Sequence, residues 1–178
     1  MRVVVRLSGC LCLLAAGAVG LSPASAGATL LGSAQIDQNL TDFGAACSAP
    51  PCVYVQKRLP GTQVRAPFSG VIHKWRLVST GVYTYQLVVM HKKSNGKYKN
   101  VGESSLGPAP GAGEYVFSAN LAINKGDYIG LKGGGAAGID NPGAKTLWFD
   151  PGVEFPDARK PTTTGAGEWQ FNATLRRH

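Results

Sequence analysis

Charge is scarce in this chain of 178 residues: 16% of its side chains are Asp, Glu, Lys or Arg, and only 10 are acidic. Histidine is scarcer still, limited to His73, His91 and His178. No stretch approaches the roughly 20 consecutive apolar residues that a membrane-spanning helix needs, so no transmembrane segment is expected. Sustained helical periodicity is also missing, and 24 Gly with 11 Pro interrupt the chain too often for long helices. The scarcity has limits, because 44% of the residues are hydrophobic, which excludes a disordered chain. At roughly 150 residues per domain, the length predicts one domain and a short additional segment.

That segment is expected at positions 1–26. Arg2 and Arg6 form a basic start, Leu11 to Leu21 is apolar or small throughout, and Ala24-Ser25-Ala26 is a small-x-small cleavage signal. The pattern is that of a secretory signal peptide. Leu7-Ser8-Gly9-Cys10 has the letters of a lipoprotein box, but there the apolar core should precede the cysteine, and here most of it follows. Removing 1–26 takes away Cys10 and Cys12 and lowers the formal net charge from +8 to +6. Cys47 and Cys52 then remain, with Ser-Ala-Pro-Pro between them, and in an exported chain they are expected to form a local disulfide. Two thiols alone are too few for a metal site, and the C-x-x-C redox spacing is absent.

Residues 27–51 read as an N-terminal segment with one possible strand near Thr29–Leu31, and 52–178 as the main domain, with 27–178 a single folding unit. From Cys52 the pattern becomes short alternating runs between turn residues. Strands are expected at Cys52–Arg58, Gly70–Ser79, Val82–Lys92, Tyr98–Ser105, Glu114–Ile123, Tyr128–Lys132, Lys145–Asp150 and Glu168–Arg177. Ser79-Thr80-Gly81 reads as a turn, Leu106–Gly113 as a Gly/Pro-rich loop, and Asn95-Gly96 as the tight turn of a hairpin. Trp75, Tyr115, Phe117, Trp169 and Phe171 fall in register with aliphatic residues and read as core, whereas Tyr98 and Trp148 read as more exposed. Eight or nine strands without a helix predict an all-β antiparallel β-sandwich, jelly-roll-like.

Three stretches, APFSGVIHKWRL (66–77), GKYKNVGESS (96–105) and LAINKGDYIGL (121–131), carry a resemblance. With the upstream cysteine pair they resemble a group of secreted bacterial single-domain β-sandwich proteins that have no established activity. The resemblance implies export and the fold, and no catalytic residues. The strand–Gly-Asp–strand punctuation also resembles jelly rolls of the tumour-necrosis-factor and complement-globular-head type, a shared geometry that implies no receptor.

Catalytic signals are thin. His73 and His91 fall in inward registers at strand ends, where a hydrogen-bonded rim histidine is the plainer account than a base or metal ligand. Gly102-Glu103-Ser104-Ser105-Leu106 fails the serine-hydrolase pattern at its last position. Gly133–Gly138 matches the letters G-x-G-x-x-G, but Asp140-Asn141-Pro142 stops any helix that a dinucleotide site requires. Asp140, Asp150 and Asp157, with Glu154 and Asn141 among them, are the candidate oxygen ligands for Ca²⁺; their spacing matches no calcium loop, and solvated carboxylates are the plainer reading. No other cofactor is expected.

The basic residues are more suggestive. Lys92, Lys93, Lys97 and Lys99 surround the hairpin turn, with His91 and Tyr98 interleaved, and Lys74 and Arg76 share the polar face of the Gly70–Ser79 strand, expected to pair nearby. Together they predict contact with an anion, in a salt-sensitive way, although lysines at a hairpin tip also keep sheet edges soluble. The expectation is a secreted, monomeric, non-catalytic binding or surface-associated module whose ligand is an extracellular polysaccharide or other anionic polymer. Nucleic acid is not expected as the specific partner. The alternatives are a polysaccharide hydrolase or lyase using loop carboxylates, and a structural envelope protein with homotypic contacts. Asn39-Leu40-Thr41 and Asn172-Ala173-Thr174 are glycosylation sequons in letters.

Overall fold

The computed structural model describes residues 27–34, 36, 47–48, 50–135 and 138–177. The expected signal peptide, Cys10, Cys12, the Asn39 sequon and His178 lie outside them. Among the described residues there are twelve strands and no helix. They are β1 (Thr29–Gly32), β2 (Cys52–Arg58), β3 (Gly70–Lys92), β4 (Tyr98–Glu103), β5 (Gly107–Ile123), β6 (Tyr128–Gly133), β7 (Gly138–Ile139), β8 (Lys145–Phe149), β9 (Ala158–Arg159), β10 (Thr163–Gly165), β11 (Glu168–Trp169) and β12 (Phe171–Arg176). Every strand pair is antiparallel, ten strands belong to one sheet, and β7 with β11 forms a separate small pair.

The long strand β3 organises the sheet into two arms. Its first half lies between β12 and β5, with β1 beyond β12. Its second half lies between β6 and β4, with β2, β8 and β10 beyond β6 and β9 beyond β4. Between the arms, Ser79–Tyr85 pairs with Gly107–Gly113 of β5. One core takes side chains from both arms: Ile72, Trp75, Leu77, Phe171, Ala173 and Leu175 of the first meet Tyr54, Leu87, Val89 and Leu131 of the second. These are the period-2 rows that the sequence sets on one face, and each buried aromatic removes about 150–250 Å² from water.

The second arm is apolar on both faces. Val53, Val55, Val88, Met90, Tyr98, Tyr128, Leu147 and Phe149 form a second cluster, and Val153 from the segment after β8 packs on it. This corrects the expected exposure of Tyr98, which is 3% exposed and packs edge-on against Tyr128 and Phe149. Trp148 is half-buried between Tyr54 and Trp169.

Three local expectations also change. Ser79-Thr80-Gly81 is a bend inside one strand: Ser79 is buried, and its hydroxyl donates to the Gly81 carbonyl and lies 2.8 Å from the Tyr85 hydroxyl. A lone glycine among β-branched residues marks a bend rather than a reversal. Residues 107–113 are strand, since β5 is an edge strand laddered only to β3. Pro108 and Pro110 are two apart, so both missing N–H groups fall on its unpaired side. At the hairpin, only Gly96 has a positive φ (77°), and its N–H donates to the Lys93 carbonyl, so the turn is a type I turn closed by a glycine bulge.

The Cys47–Cys52 disulfide is present, with Cα atoms 5.8 Å apart. It anchors the start of β2 beside Asp150, whose Oδ2 accepts both the N–H (2.9 Å) and the hydroxyl (2.5 Å) of Ser48. No helix among the described residues is long and apolar enough to cross a membrane.

Candidate functional site

On the outer face of the first arm, Lys74 and Arg76 stand two residues apart on β3, which puts their side chains on one side of the sheet. Lys74 pairs with Thr174 of β12 and Ser118 of β5, and Arg76 with Asn172 and Val116. Leu30, Lys74, Arg76, Val116, Asn172 and Thr174 line a cleft of about 260 Å³. Arg76 is oriented inside it. Its Nε donates to Asn172 Oδ1 at 3.0 Å, and the Asn172 amide nitrogen donates to the Ser33 carbonyl at 2.7 Å, which fixes which way the amide faces. Glu114 Oε1 lies 3.6 Å from an Arg76 terminal nitrogen, an ion pair with both side chains about one-third exposed. Leu30 (37% exposed) and Val116 (56%) give the cleft apolar walls. Asn172 is itself 2% exposed, so its sequon is closed to a glycan in the folded chain.

Asn172 is the residue that pattern reading misses as a site residue. It was met only as a sequon letter, whereas its role comes from β12 landing beside β3 across nearly a hundred residues of sequence.

The hairpin does not continue this cleft. From Arg76 to Lys92 the strand runs about 50 Å in contour at roughly 3.3 Å per residue, and the two ends belong to different arms. The hairpin lysines also divide between faces. Lys92 stands opposite Tyr98, on the side of the second cluster, while Lys99 stands opposite His91. Lys92, Lys93 and Lys97 are exposed and Lys99 is half-buried. Burial of Tyr98 removes the aromatic surface expected there, and desolvation pushes its hydroxyl up to about 12, reinforced by Tyr128 and opposed by Arg65.

Neither histidine is inward-facing. An irregularity in β3 between Ile72 and Lys74 leaves His73 exposed and returns Ile72 to the core. His91 is exposed at its side chain, with Nδ1 2.7 Å from Oδ1 of the buried Asp127. The other Asp127 oxygen accepts the Asn124 N–H, closing the turn between β5 and β6.

The late carboxylates go to different places. Asp140 and Asp157 are exposed, Asp150 holds Ser48, and Glu154 reaches Lys132. Among the described residues, the one group of three possible ligands within 4.8 Å is Cys47, Cys52 and Asp150. Its two sulfurs are joined to each other, which leaves a single ligand atom. No such group combines two of Asp140, Asp150 and Asp157. The Gly133–Gly138 letters run from the last residue of β6 to the first of β7, and no helix follows them among the described residues.

Lys132 is a buried cation that the structure places between two carboxylates. It is 7% exposed, and its Nζ donates to Glu154 Oε2 at 2.7 Å and Glu103 Oε1 at 3.2 Å. Asn100 donates to the same Glu103 oxygen at 2.7 Å. An extra residue in β4 at Val101 brings Asn100 and Glu103, three apart, to one face. Burial pulls the Lys132 ammonium down, but hydrogen bonds and charge from Glu154 and Glu103 outweigh it and raise its pKa. The sequence signal was a lysine in the otherwise apolar Tyr128–Gly133 run.

The chain matches no protein-family model, no curated protein and no solved structure.

Proposed function

We propose that this protein is a secreted, non-catalytic binding module of the β-sandwich, jelly-roll-like kind, and that its ligand is an extracellular anionic polysaccharide. The export pattern at 1–26 and the disulfide support secretion. The observation that carries the binding reading is the first-arm cleft, where Arg76 is oriented by Asn172 beside Lys74 between apolar walls. With Nε on Asn172 and one terminal nitrogen 3.6 Å from Glu114, the guanidinium keeps its other terminal nitrogen for a carboxylate or sulfate, and Leu30 and Val116 suit the apolar side of a sugar ring. Lys92, Lys93, Lys97 and Lys99 contribute the long-range field that draws a polyanion toward the molecule.

The test is binding of polygalacturonate and neutral dextran to the purified protein across a salt series. Polygalacturonate is expected to bind and to weaken with salt, and dextran to bind far less. The double change Lys74→Glu and Arg76→Glu should weaken polygalacturonate at least about tenfold, as for lost charge-assisted hydrogen bonds. Absence of binding at low salt, or binding indifferent to that double change, overturns the assignment.

A further inference from the structure

A second pocket, with a separate lining, has the opposite character. Val101, Gly102, Glu103, Leu121 and Phe155 line about 330 Å³ beside β4. β9 pairs with β4 only at Tyr98 and Lys99, so the ladder stops short of residues 101–103. Leu121 of β5 forms one wall, and Phe155, 57% exposed, forms another. Leu121 packs against the bare backbone of Gly102, where a Cβ would meet Leu121 Cδ1 at 3.0 Å.

The charge at this pocket is defined by the Lys132 network. One ammonium faces two carboxylates, Glu103 and Glu154, so the local sum is −1 in a chain whose total is +8. Glu103 lines the pocket, and the bonds to Lys132 and Asn100 both fall on its Oε1. The second oxygen, Oε2, has no hydrogen-bond partner among the described residues. An apolar space with an aromatic wall and one surplus carboxylate is complementary to a positive group on an apolar stem.

We propose that the β4-edge pocket binds a small organic cation, an ammonium group carried on a short aliphatic stem. The ammonium donates to Glu103, and the stem lies between Leu121, Val101 and the ring of Phe155. This site is separate from the Lys74/Arg76 cleft and does not depend on the polysaccharide reading.

The experiment follows the amide NMR shifts of the purified protein during titration with n-butylammonium, n-butyrate and n-butanol. Saturable shifts at Val101 and Gly102 are expected with n-butylammonium at a Kd on the order of 10 mM, in keeping with five non-hydrogen atoms. Butyrate should bind at least about tenfold more weakly, because it meets the surplus carboxylate with like charge. Glu103→Gln should remove the preference for n-butylammonium over n-butanol. Gly102→Val should abolish binding by displacing the Leu121 wall, and Phe155→Ala, at an exposed position, should weaken it about threefold to tenfold without unfolding the chain. Equal binding of butyrate, no saturable shift at Val101 or Gly102, or unchanged binding in Phe155→Ala would each overturn the proposal.

Discussion

Arg76 and Lys132 are both basic residues with acidic neighbours, on strands that pair in the same sheet, yet their surroundings give them opposite uses. Arg76 is about one-third exposed, and its ionic partner Glu114 stands off at 3.6 Å. Lys132 is enclosed and saturated by two carboxylates and lends no positive charge to the pocket beside it. The first cation is partly exposed to solvent; the second is a buried counter-ion whose partner Glu103 lines the neighbouring pocket. Burial and stoichiometry, rather than residue type, decide which sign of charge each site presents.

The broadest way to strain both regions together is alkali. Desolvation pushes the hydroxyls of Tyr54 and Tyr85 up to about 12, with Asp150 and Tyr83 adding to Tyr54, and the Ser79 hydrogen bond opposing the rise at Tyr85. Tyr98 is raised to about 12 as well, and Lys132 is raised above its ordinary value. All four groups hold their protons more tightly when folded. Their contribution is therefore complete below the unfolded values near 10 and is lost as pH climbs through the folded ones. The protein is expected to unfold cooperatively between about pH 10 and 12. Circular dichroism against pH checks this, and a signal unchanged to pH 12 would refute it.

Trp75→Ala attacks the shared core and should cost about 3–5 kcal/mol, because Trp75 is 1% exposed and stacks on Phe117. Denaturant unfolding should show both arms losing stability in one transition. Lys132→Met separates the two regions. It leaves Glu103 without its cation and should cost about 2–3 kcal/mol, with part recovered by adding Glu103→Gln. Arg76→Ala, by contrast, should cost under about 1 kcal/mol while impairing polysaccharide binding. A stability loss at Arg76 as large as that at Lys132 would erase the distinction between them. Replacing Cys47 and Cys52 by Ser should cost about 2 kcal/mol on the chain-entropy estimate for so short a loop. The smallest effect belongs to the hairpin: changing Lys92, Lys93, Lys97 and Lys99 to Gln should move stability by about 0.5 kcal/mol or less, and should slow polymer association more than it weakens the complex.

Most of the strands were legible: Phe171–Arg176 follows a clean two-residue period, and Cys52–Arg58 opens on a short apolar run. The hairpin turn at Asn95-Gly96 was legible too, with Gly96 at positive φ. The joining of Gly70–Lys92 into one strand was not, since a bend at Ser79 and a reversal look alike until the partner strand is known. Residues 107–113 hid for a similar reason: proline opposes a strand only where its N–H must be used, and edge position is a tertiary fact. Lys74 and Arg76 were legible as a basic pair, while the amide that orients Arg76 lies on a distant strand. The Lys132 network draws on β4, β6 and the segment after β8, so no local pattern announces it.

The placement of β12 between β1 and β3 has a consequence for how the chain reaches this structure. Thr29 pairs with Leu175, and Trp75 with Ala173, so the first arm is assembled from strands far apart in sequence. The second half of β3, by contrast, finds β4 through a short hairpin. Loop-closure entropy makes distant pairings the slow ones, so the β3–β4 hairpin can form early, while β2 waits for β6 and β8 and β1 waits for β12. The proposed cleft, which needs β12 beside β3, would therefore be completed after that hairpin, with Asn172 among the residues that finish it.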